Sequence, residues 1–229
     1  SFGYDGILRS YEDSLMRLGL NRVDVLIIHD IDLNYHRTES HINQRFRELE
    51  SGWRALDELK RTGEIQAFGA GINREALIPR FLEECPLDFF LVAHPYTLLD
   101  QGVLDSIFPK CERLGVGVVV GAPYASGILA TGAVQGAKYR YSEATPDVMA
   151  KVQLIERLCK DHRIPLKAAA LQFPLGHPLV ASIIPGAFLP EQVTENRKLF
   201  EHPIESSFWD ACKTANLIRM DAPVPSYDF

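Results

Sequence analysis

The chain has 229 residues, of which 46% are hydrophobic and 24% charged, so it can bury a substantial core as a single domain over residues 1–229. A formal net charge of -6 and a pI near 5.7 argue against nucleic acid as a partner, because a polyanion needs a basic surface. The four cysteines form no CxxC pair and no apolar stretch approaches the roughly 20 residues of a membrane span, so we expect a cytoplasmic protein without zinc knuckle, disulfide framework or membrane anchor.

Helix and strand patterns alternate along the chain, beginning with a helix. Apolar residues recur at three- and four-residue steps over 5–18, and Gly19 stands where a helix would end. Residues 23–29 are rich in Val, Ile and Leu, which is typical of a buried parallel strand. The pairing repeats with helices predicted over 45–61, 74–84, 103–114 and 146–161 and strands over 65–72, 89–94, 116–121 and 182–185. Further helices are predicted over 166–173, 189–200 and 206–217, and residues 222–229 are predicted to form a loop.

This alternation predicts an α/β fold with a parallel sheet, either a barrel or an open doubly wound sheet. Because a helix precedes the first strand, the pattern starts in the middle of a strand-helix unit. An eight-unit barrel would then lack about three N-terminal units, or roughly 90 residues at about 30 per unit. A five-stranded flavodoxin-like sheet explains the same pattern without any loss and stays the alternative.

Polar groups follow the predicted strands, where parallel α/β proteins place their functional sites. The first predicted strand ends in His29 and Asp30, the second in Asn73 and the third in His94. A histidine at such a position can hydrogen-bond a substrate oxygen or exchange a proton near neutral pH. The segment 69–74 matches only the first two glycines of a dinucleotide fingerprint, so a Rossmann site is not predicted.

An ordered series of short motifs carries a resemblance to a known family. The motifs are SYEDSL over 10–15 with RLG over 17–19, VDVL over 23–26 with His29-Asp30, YTLLD over 96–100, SGILATG over 126–132, and IPG over 184–186 with Pro190-Glu191 and Glu195-Asn196. In this order they resemble the aldo-keto reductase family over essentially the whole chain, and within it the branch of D-threo-aldose 1-dehydrogenases, L-fucose dehydrogenases and pyridoxal 4-dehydrogenases. The resemblance implies a (β/α)₈ TIM barrel of which this chain holds the last five units. It also implies reversible hydride transfer between NAD(P) and a carbonyl or hydroxyl carbon.

The same resemblance assigns roles to individual residues. His29 matches the histidine of the family's catalytic tetrad, whereas the tyrosine, aspartate and lysine belong to the N-terminal units and are expected to be missing from this chain. Asn73 matches the residue that holds the nicotinamide carboxamide. The remaining cofactor-binding residues implied are Ala122, Tyr124, Ser126 and Gly127 at the pyrophosphate and Ile184, Pro185, Gly186, Gln192, Glu195 and Asn196 at the adenosine end.

The preferred cofactor is predicted to be NAD, with NADP possible. No lysine or arginine lies between Ile184 and Asn196, although a 2′-phosphate calls for such a cation. The family branch implies a small polar substrate, an aldose such as L-fucose or pyridoxal, whereas the sequence does not predict the oligomeric state.

Two other functions remain open at this point. A metal-dependent hydrolase barrel is suggested by His29, Asp30, Asp32 and His94, since histidine and carboxylate groups suit a divalent ion. A nucleotide-binding barrel without catalysis is suggested by the incomplete tetrad.

Overall fold

A computed structural model describes residues 1–73 and 75–226. Arg74, the predicted first residue of a helix, and the last three residues of the predicted tail lie outside this part. The chain forms two compact units, one of Ser1–Val92 with Arg113–Gly117 and one of Ala93–Glu112 with the residues from Val118 onward. Strands and helices alternate in both units, so the predicted α/β class is confirmed.

The first unit contains three parallel strands and the helices that accompany them. In chain order its elements are α1 (Tyr4–Leu18), β1 (Val25–His29), α2 (Leu33–His36), α3 (Glu39–Arg61), β2 (Ala67–Ile72), a 3₁₀ turn (Glu75–Leu77), α4 (Ile78–Glu84) and β3 (Phe89–Ala93). The parallel register pairs His29 with Gly71 and Gly71 with Leu91. The ends of β1 and β2 therefore lie side by side.

Local signals explain where the long helices of this unit begin and end. Helix α1 stops at Gly19, whose φ of 64° is a left-handed conformation that glycine adopts easily. Helix α3 begins six residues before the predicted start at Arg45. The reason is the N-cap Thr38, whose hydroxyl accepts a hydrogen bond from His41 N at 3.2 Å. The apolar period starts only at Phe46, so it does not indicate the polar first turn.

Aromatic side chains form the core of the first unit. Trp53 of α3 stacks on Phe68 of β2 with ring centroids 6.1 Å apart. Phe81 of α4 lies 4.8 Å from Phe46 and 6.1 Å from Phe90. These five rings join α3 and α4 to β2 and β3, and burying each ring is worth roughly 1.5–3 kcal/mol.

The second unit contains two further parallel strands. In chain order its elements are α5 (Val103–Ser106), α6 (Phe108–Leu114), β4 (Gly117–Gly121), a 3₁₀ turn (Ala125–Gly127), α7 (Ile128–Thr131), β5 (Lys138–Tyr139), β6 (Ser142–Glu143), α8 (Pro146–Asp161), α9 (Leu166–Gln172), a 3₁₀ turn (Phe173–Gly176), β7 (Val180–Ile184), α10 (Pro190–Phe200) and α11 (Ser206–Thr214). Strand β4 pairs in parallel with β7, and β5 with β6 forms a small antiparallel hairpin.

Two sequence predictions in this unit were wrong in detail. The single helix predicted over 103–114 is broken between Ser106 and Phe108, because Pro109 lacks an N–H and its ring would collide with the carbonyl of Asp105. Strand β7 covers Val180–Ile184 rather than 182–185, because Val180 already pairs with Val118 of β4.

The core of the second unit is also aromatic, and the C-terminal loop is attached to it. Tyr96 stacks on Phe173 with centroids 4.8 Å apart, and Phe173 lies 6.1 Å from Trp209 of α11. The Tyr96 hydroxyl donates to Pro223 O at 2.9 Å, so residues 222–226 form a packed loop as predicted. Within the described ranges, no helix combines the length and the apolar character that crossing a membrane requires.

Candidate active site

A polar cluster occupies the end of β1 in the first unit. The backbone turns sharply at Asp30, whose φ of 57° is left-handed, and its N–H donates to Gly71 O at 3.1 Å. The Asp30 side chain thereby lies between two partners. Its Oδ2 is 2.7 Å from His29 Nδ1, and its Oδ1 accepts from Asn73 Nδ2 at 3.1 Å. The sequence-predicted His29 and Asn73 are thus joined through Asp30.

The position of the His29 ring depends on a glycine in the neighbouring strand. A Cβ added to Gly71 would lie 2.5 Å from His29 Cδ2 and 3.1 Å from Nε2, closer than non-bonded carbon atoms normally approach. The ring therefore occupies the space that the missing side chain leaves. The His29 side chain is 57% exposed and the Asp30 side chain 19%, so the imidazole is accessible while its partner is largely covered.

In the second unit, the loop after β4 has an unusual backbone. Ala122, Ala125 and Ser126 are left-handed without being glycines, at φ values of 52°, 51° and 62°, and Gly127 follows at 101°. Such conformations cost about 1–3 kcal/mol each at non-glycine residues and cluster at ligand sites. Three of the predicted pyrophosphate contacts are therefore in strained or special conformations.

The amides of this loop are largely satisfied within the protein. Ala122 N donates to Ile184 O at 3.2 Å, Ala125 N to Ala122 O at 2.9 Å and Gly127 N to Tyr124 O at 3.0 Å. Two of the four amides predicted to cradle the pyrophosphate, those of Ala122 and Gly127, are thus paired within the protein.

The Ser126 hydroxyl connects the loop to two residues that the sequence did not assign to a cofactor. Its Oγ accepts from Tyr141 N, at the tip of the β5–β6 hairpin, at 3.0 Å and lies 3.4 Å from His94 Nε2. Burial, and then the charge of Arg140, lower the pKa of His94, so its ring is neutral at neutral pH. A neutral ring nitrogen can accept the Ser126 proton.

Helix α10 carries the residues predicted for the adenosine end. The Tyr124 hydroxyl donates to Asn196 Oδ1 at 2.6 Å. Burial raises the pKa of the Tyr124 phenol, and the negative charge of Glu195 raises it further, so the hydroxyl keeps its proton and remains a donor. Gln192 accepts from Phe188 N at 2.7 Å and from Leu189 N at 3.2 Å, so its side chain caps the helix.

A cation missed by the sequence analysis reaches this helix. Lys167 Nζ of α9 lies 2.8 and 3.0 Å from the carboxylate oxygens of Glu195. The two residues are 28 positions apart, and no spacing rule connects them.

The other residues predicted for the adenosine end lie at the end of β7. Ile184 is the last residue of this strand, and Pro185 and Gly186 follow it. A Cβ added to Gly186 would meet no atom within 4 Å.

Comparison with known proteins places this arrangement in a family. A model described as the Aldo/keto reductase family matches residues 2–217. The chain belongs to the aldo/keto reductase family. Pyridoxal 4-dehydrogenase of Microbacterium luteolum is 38% identical over 219 residues, and D-threo-aldose 1-dehydrogenase of a Pseudomonas species is 32% identical over 218. The predicted family and branch are both confirmed.

The match covers this aldo/keto reductase chain more fully than it covers the relatives. The two dehydrogenases match 95% of the chain, which spans 64% of the length of each. Among solved structures, an aldo-keto reductase of Bacillus halodurans in its apo form is 25% identical with a TM-score of 0.69, over 97% of this chain and 70% of that one.

Proposed function

We propose that the whole protein transfers a hydride between a nicotinamide dinucleotide and a carbonyl or hydroxyl carbon of a small polar substrate. The single observation that carries this proposal is the cluster at the end of β1. An accessible histidine there is joined through Asp30 to Asn73, in a chain of the aldo/keto reductase family.

The proposed roles of the chain's own residues follow from their chemistry. His29 orients the substrate oxygen through its ring nitrogen, and Asn73 offers an amide to the nicotinamide carboxamide. Ser126 supplies a hydroxyl to the pyrophosphate. Asn196 and Glu195 supply polar atoms at the adenine. The cofactor, when bound, accepts or gives the hydride.

The proposal includes the partial barrel. We propose that residues 1–229 form a single domain that supplies the last five units of a (β/α)₈ barrel. The catalytic tyrosine, aspartate and lysine of the family then lie in the part of the relatives that this chain does not match, since it spans 64% of the first two. Turnover is accordingly proposed for the whole protein.

We propose NAD as the preferred cofactor. The segment 184–196 has no lysine or arginine, and Lys167, the cation near it, is neutralised by Glu195. A 2′-phosphate would have to compete with that carboxylate for the ammonium group. NADP is therefore expected to bind more weakly rather than to be excluded.

The substrate class follows from the names of the relatives, which act on pyridoxal and on D-threo-aldoses. We propose that this protein acts on a compound of the same kind, a sugar with a free anomeric carbon or an aromatic aldehyde or alcohol. Both kinds of compound are small molecules in which the reacting carbon carries an oxygen atom.

The test is a substrate screen with the whole protein. L-fucose, D-arabinose, L-galactose and pyridoxal are each incubated with NAD and with NADP, and formation of the reduced cofactor is followed by absorbance. We expect turnover of at least one compound, with the larger kcat/KM for NAD. A larger kcat/KM for NADP would contradict the proposed cofactor preference, and absence of turnover with all four would contradict the substrate class.

The metal-dependent hydrolase has no comparable support. Across residues 1–73 and 75–226, no group of three or more His, Cys, Asp or Glu side chains is arranged to hold a metal ion. Asp30, one of the residues that suggested it, is engaged by His29 and Asn73. The other alternative, a nucleotide-binding barrel without catalysis, is tested by the same substrate screen. That alternative predicts that the cofactor binds but that no compound is turned over.

A further inference from the structure

The loop after β4 has no charged residue of its own. The stretch from Gly121 to Ala137 contains no lysine, arginine, aspartate or glutamate, although the proposed function assigns Ser126 and Gly127 within it to the pyrophosphate. The backbone N–H groups of Ala122 and Gly127 are already paired within the protein. Each phosphate of a dinucleotide carries a negative charge, and a charge that leaves water is costly unless a partner of opposite sign meets it. That partner has to come from outside this stretch.

Arg140 is a cation that lies close to this loop, at the tip of the β5–β6 hairpin. The next residue, Tyr141, donates its N–H to Ser126 Oγ at 3.0 Å, so the tip is attached to the loop. The same hydroxyl lies 3.4 Å from His94 Nε2. The positive charge of Arg140, second to burial, lowers the pKa of His94, so the guanidinium acts on the surroundings of Ser126.

We propose that Arg140 binds the pyrophosphate of the dinucleotide, and that Asp100 holds the guanidinium until the cofactor binds. This inference rests on the proposed function and names the residue that neutralises the negative charge of the cofactor. Arg140 forms an ion pair with Asp100, and its side chain is 53% exposed, so a ligand can reach it. A guanidinium presents several N–H groups in one plane, which suit two phosphate oxygens at once.

Asp100 keeps other partners when Arg140 turns to a phosphate. Its Oδ1 accepts from Gly102 N at 3.0 Å. Lys151, whose Nζ donates to Leu99 O at 3.1 Å, is a second cation near this carboxylate. Burial lowers the pKa of Lys151, whereas the negative charge of Asp100 raises it. Two cations thus share one carboxylate, and an anion that binds here meets an excess of positive charge.

The R140Q variant tests the contact directly, because it removes the guanidinium and keeps a long polar side chain. Dissociation constants of NAD, ADP and adenosine are measured by calorimetry with the whole protein. We expect R140Q to bind NAD and ADP about tenfold more weakly, as is usual when a hydrogen bond to a charged group is lost. Adenosine has no phosphate, so its dissociation constant should not change. R140K, which keeps the charge, should lose less affinity for ADP than R140Q.

Two results with R140Q would overturn the proposal. One is an ADP affinity equal to that of the wild-type protein. The other is an equal loss of affinity for adenosine and ADP, because the substitution would then act on the structure of the site and not on a phosphate contact.

The matched control is K138Q. Lys138 lies at the base of the same hairpin, opposite Glu143 in the antiparallel register. The substitution removes the same charge without changing the tip that contacts Ser126, so ADP should bind as it does to the wild-type protein. A loss in K138Q as large as that in R140Q would overturn a specific contact and indicate attraction by the overall charge of the hairpin.

The D100N variant tests the competition for the guanidinium. Asparagine keeps an oxygen that can accept from Gly102 N but loses the charge that attracts Arg140. The affinity for ADP should therefore rise, by up to about fivefold, as expected for the loss of an exposed ion pair. An unchanged or lower affinity would overturn the role of Asp100.

Failure of the proposed function gives a different pattern. A wild-type protein that binds NAD and shows these effects, but turns over no compound of the substrate screen, would refute the proposed function and leave the Arg140 contact intact. A wild-type protein that binds neither NAD nor ADP would overturn both.

Discussion

Gly71 sets the position of the His29 ring, and its substitution gives the sharpest test at the scale of a single residue. A Cβ at this position would lie 2.5 Å from His29 Cδ2. We expect G71A to lower kcat about 10²-fold, because displacement of a reacting group by about 1 Å has effects of that size. Steady-state kinetics of the whole protein provide the measurement.

The control for this substitution is G117A in β4. A Cβ on Gly117 would meet its nearest neighbours at 3.8 Å, which is ordinary contact. Its kcat should equal that of the wild-type protein. Equal values for G71A and G117A would show that the ring does not need the space beside Gly71.

The Lys167–Glu195 pair gives a prediction about cofactor choice. Removing the carboxylate in E195Q leaves the ammonium group free to attract a 2′-phosphate. The NADP to NAD ratio of kcat/KM should rise about fivefold, since exposed ion pairs are worth up to about 1 kcal/mol. E201Q is the control, because Glu201 caps the same helix and pairs with Arg197 at 3.3 Å. A ratio that rises equally in both variants would refute a specific role of Lys167.

His94 gives a prediction about acid sensitivity. Burial lowers the pKa of His94 in the folded protein below its ordinary value of 6.5, and the Arg140 charge adds to this effect. Below pH 6.5, His94 therefore binds a proton more readily in the unfolded chain than in the folded protein. The contribution of His94 to the free energy of unfolding is fully present above pH 6.5 and is lost progressively as the pH falls below this value.

The H94Q variant should therefore lose part of this acid sensitivity. Chemical denaturation at a series of pH values is the measurement, and the slope of unfolding free energy against pH below 6.5 should become shallower. An H94Q slope as steep as that of the wild-type protein would contradict a buried, neutral His94.

Single residues also show what the sequence could and could not predict about the site. His29 and Asn73 were found because they follow strands and match family motifs. The link between them through Asp30 was not, since it needs the left-handed turn and the parallel register of β1 on β2. Lys167 was missed for the same reason, because a contact over 28 positions leaves no mark in local spacing.

At the scale of elements, α3 shows how a polar first turn hides a helix start. Thr38 caps it through a 3.2 Å hydrogen bond from His41 N. We expect T38A to lower the free energy of unfolding by about 1 kcal/mol, the usual cost of losing such a cap. Thermal or urea denaturation measures this.

A weaker cap elsewhere supplies the comparison. Thr145 accepts from Val148 N at 3.4 Å before α8, at the limit of hydrogen-bond length. T145A should therefore cost less than T38A. The reverse order would mean that cap distance does not govern the stability of these helices.

The strands and long helices were predictable because their signals are local and strong. Helix α8 has the predicted bounds, with Thr145 and Pro146 marking its start and apolar residues at helical spacing. The β5–β6 hairpin was missed because each strand has two residues, and its tip uses left-handed Arg140 and Tyr141 rather than the glycine or asparagine that usually signals such a turn.

At the scale of the whole molecule, the two units differ in what they contribute to the proposed activity. The first holds His29 and Asn73, and the second holds the loop after β4 and the start of α10. Membership of the aldo/keto reductase family follows from the comparison, whereas the eight-unit barrel, the single domain and the cytoplasmic location stay predictions. Their physical basis is the alternation of strands and helices and the pattern of cysteines.

The most direct test of this account compares the kcat of the whole protein with that of its H29A variant. Both are measured with NAD and the best substrate of the screen. We predict a loss of at least about 10²-fold, because the loss of a group that orients the reacting oxygen has effects of that size. Equal kcat values for the two proteins would contradict the placement of the active site at the end of β1.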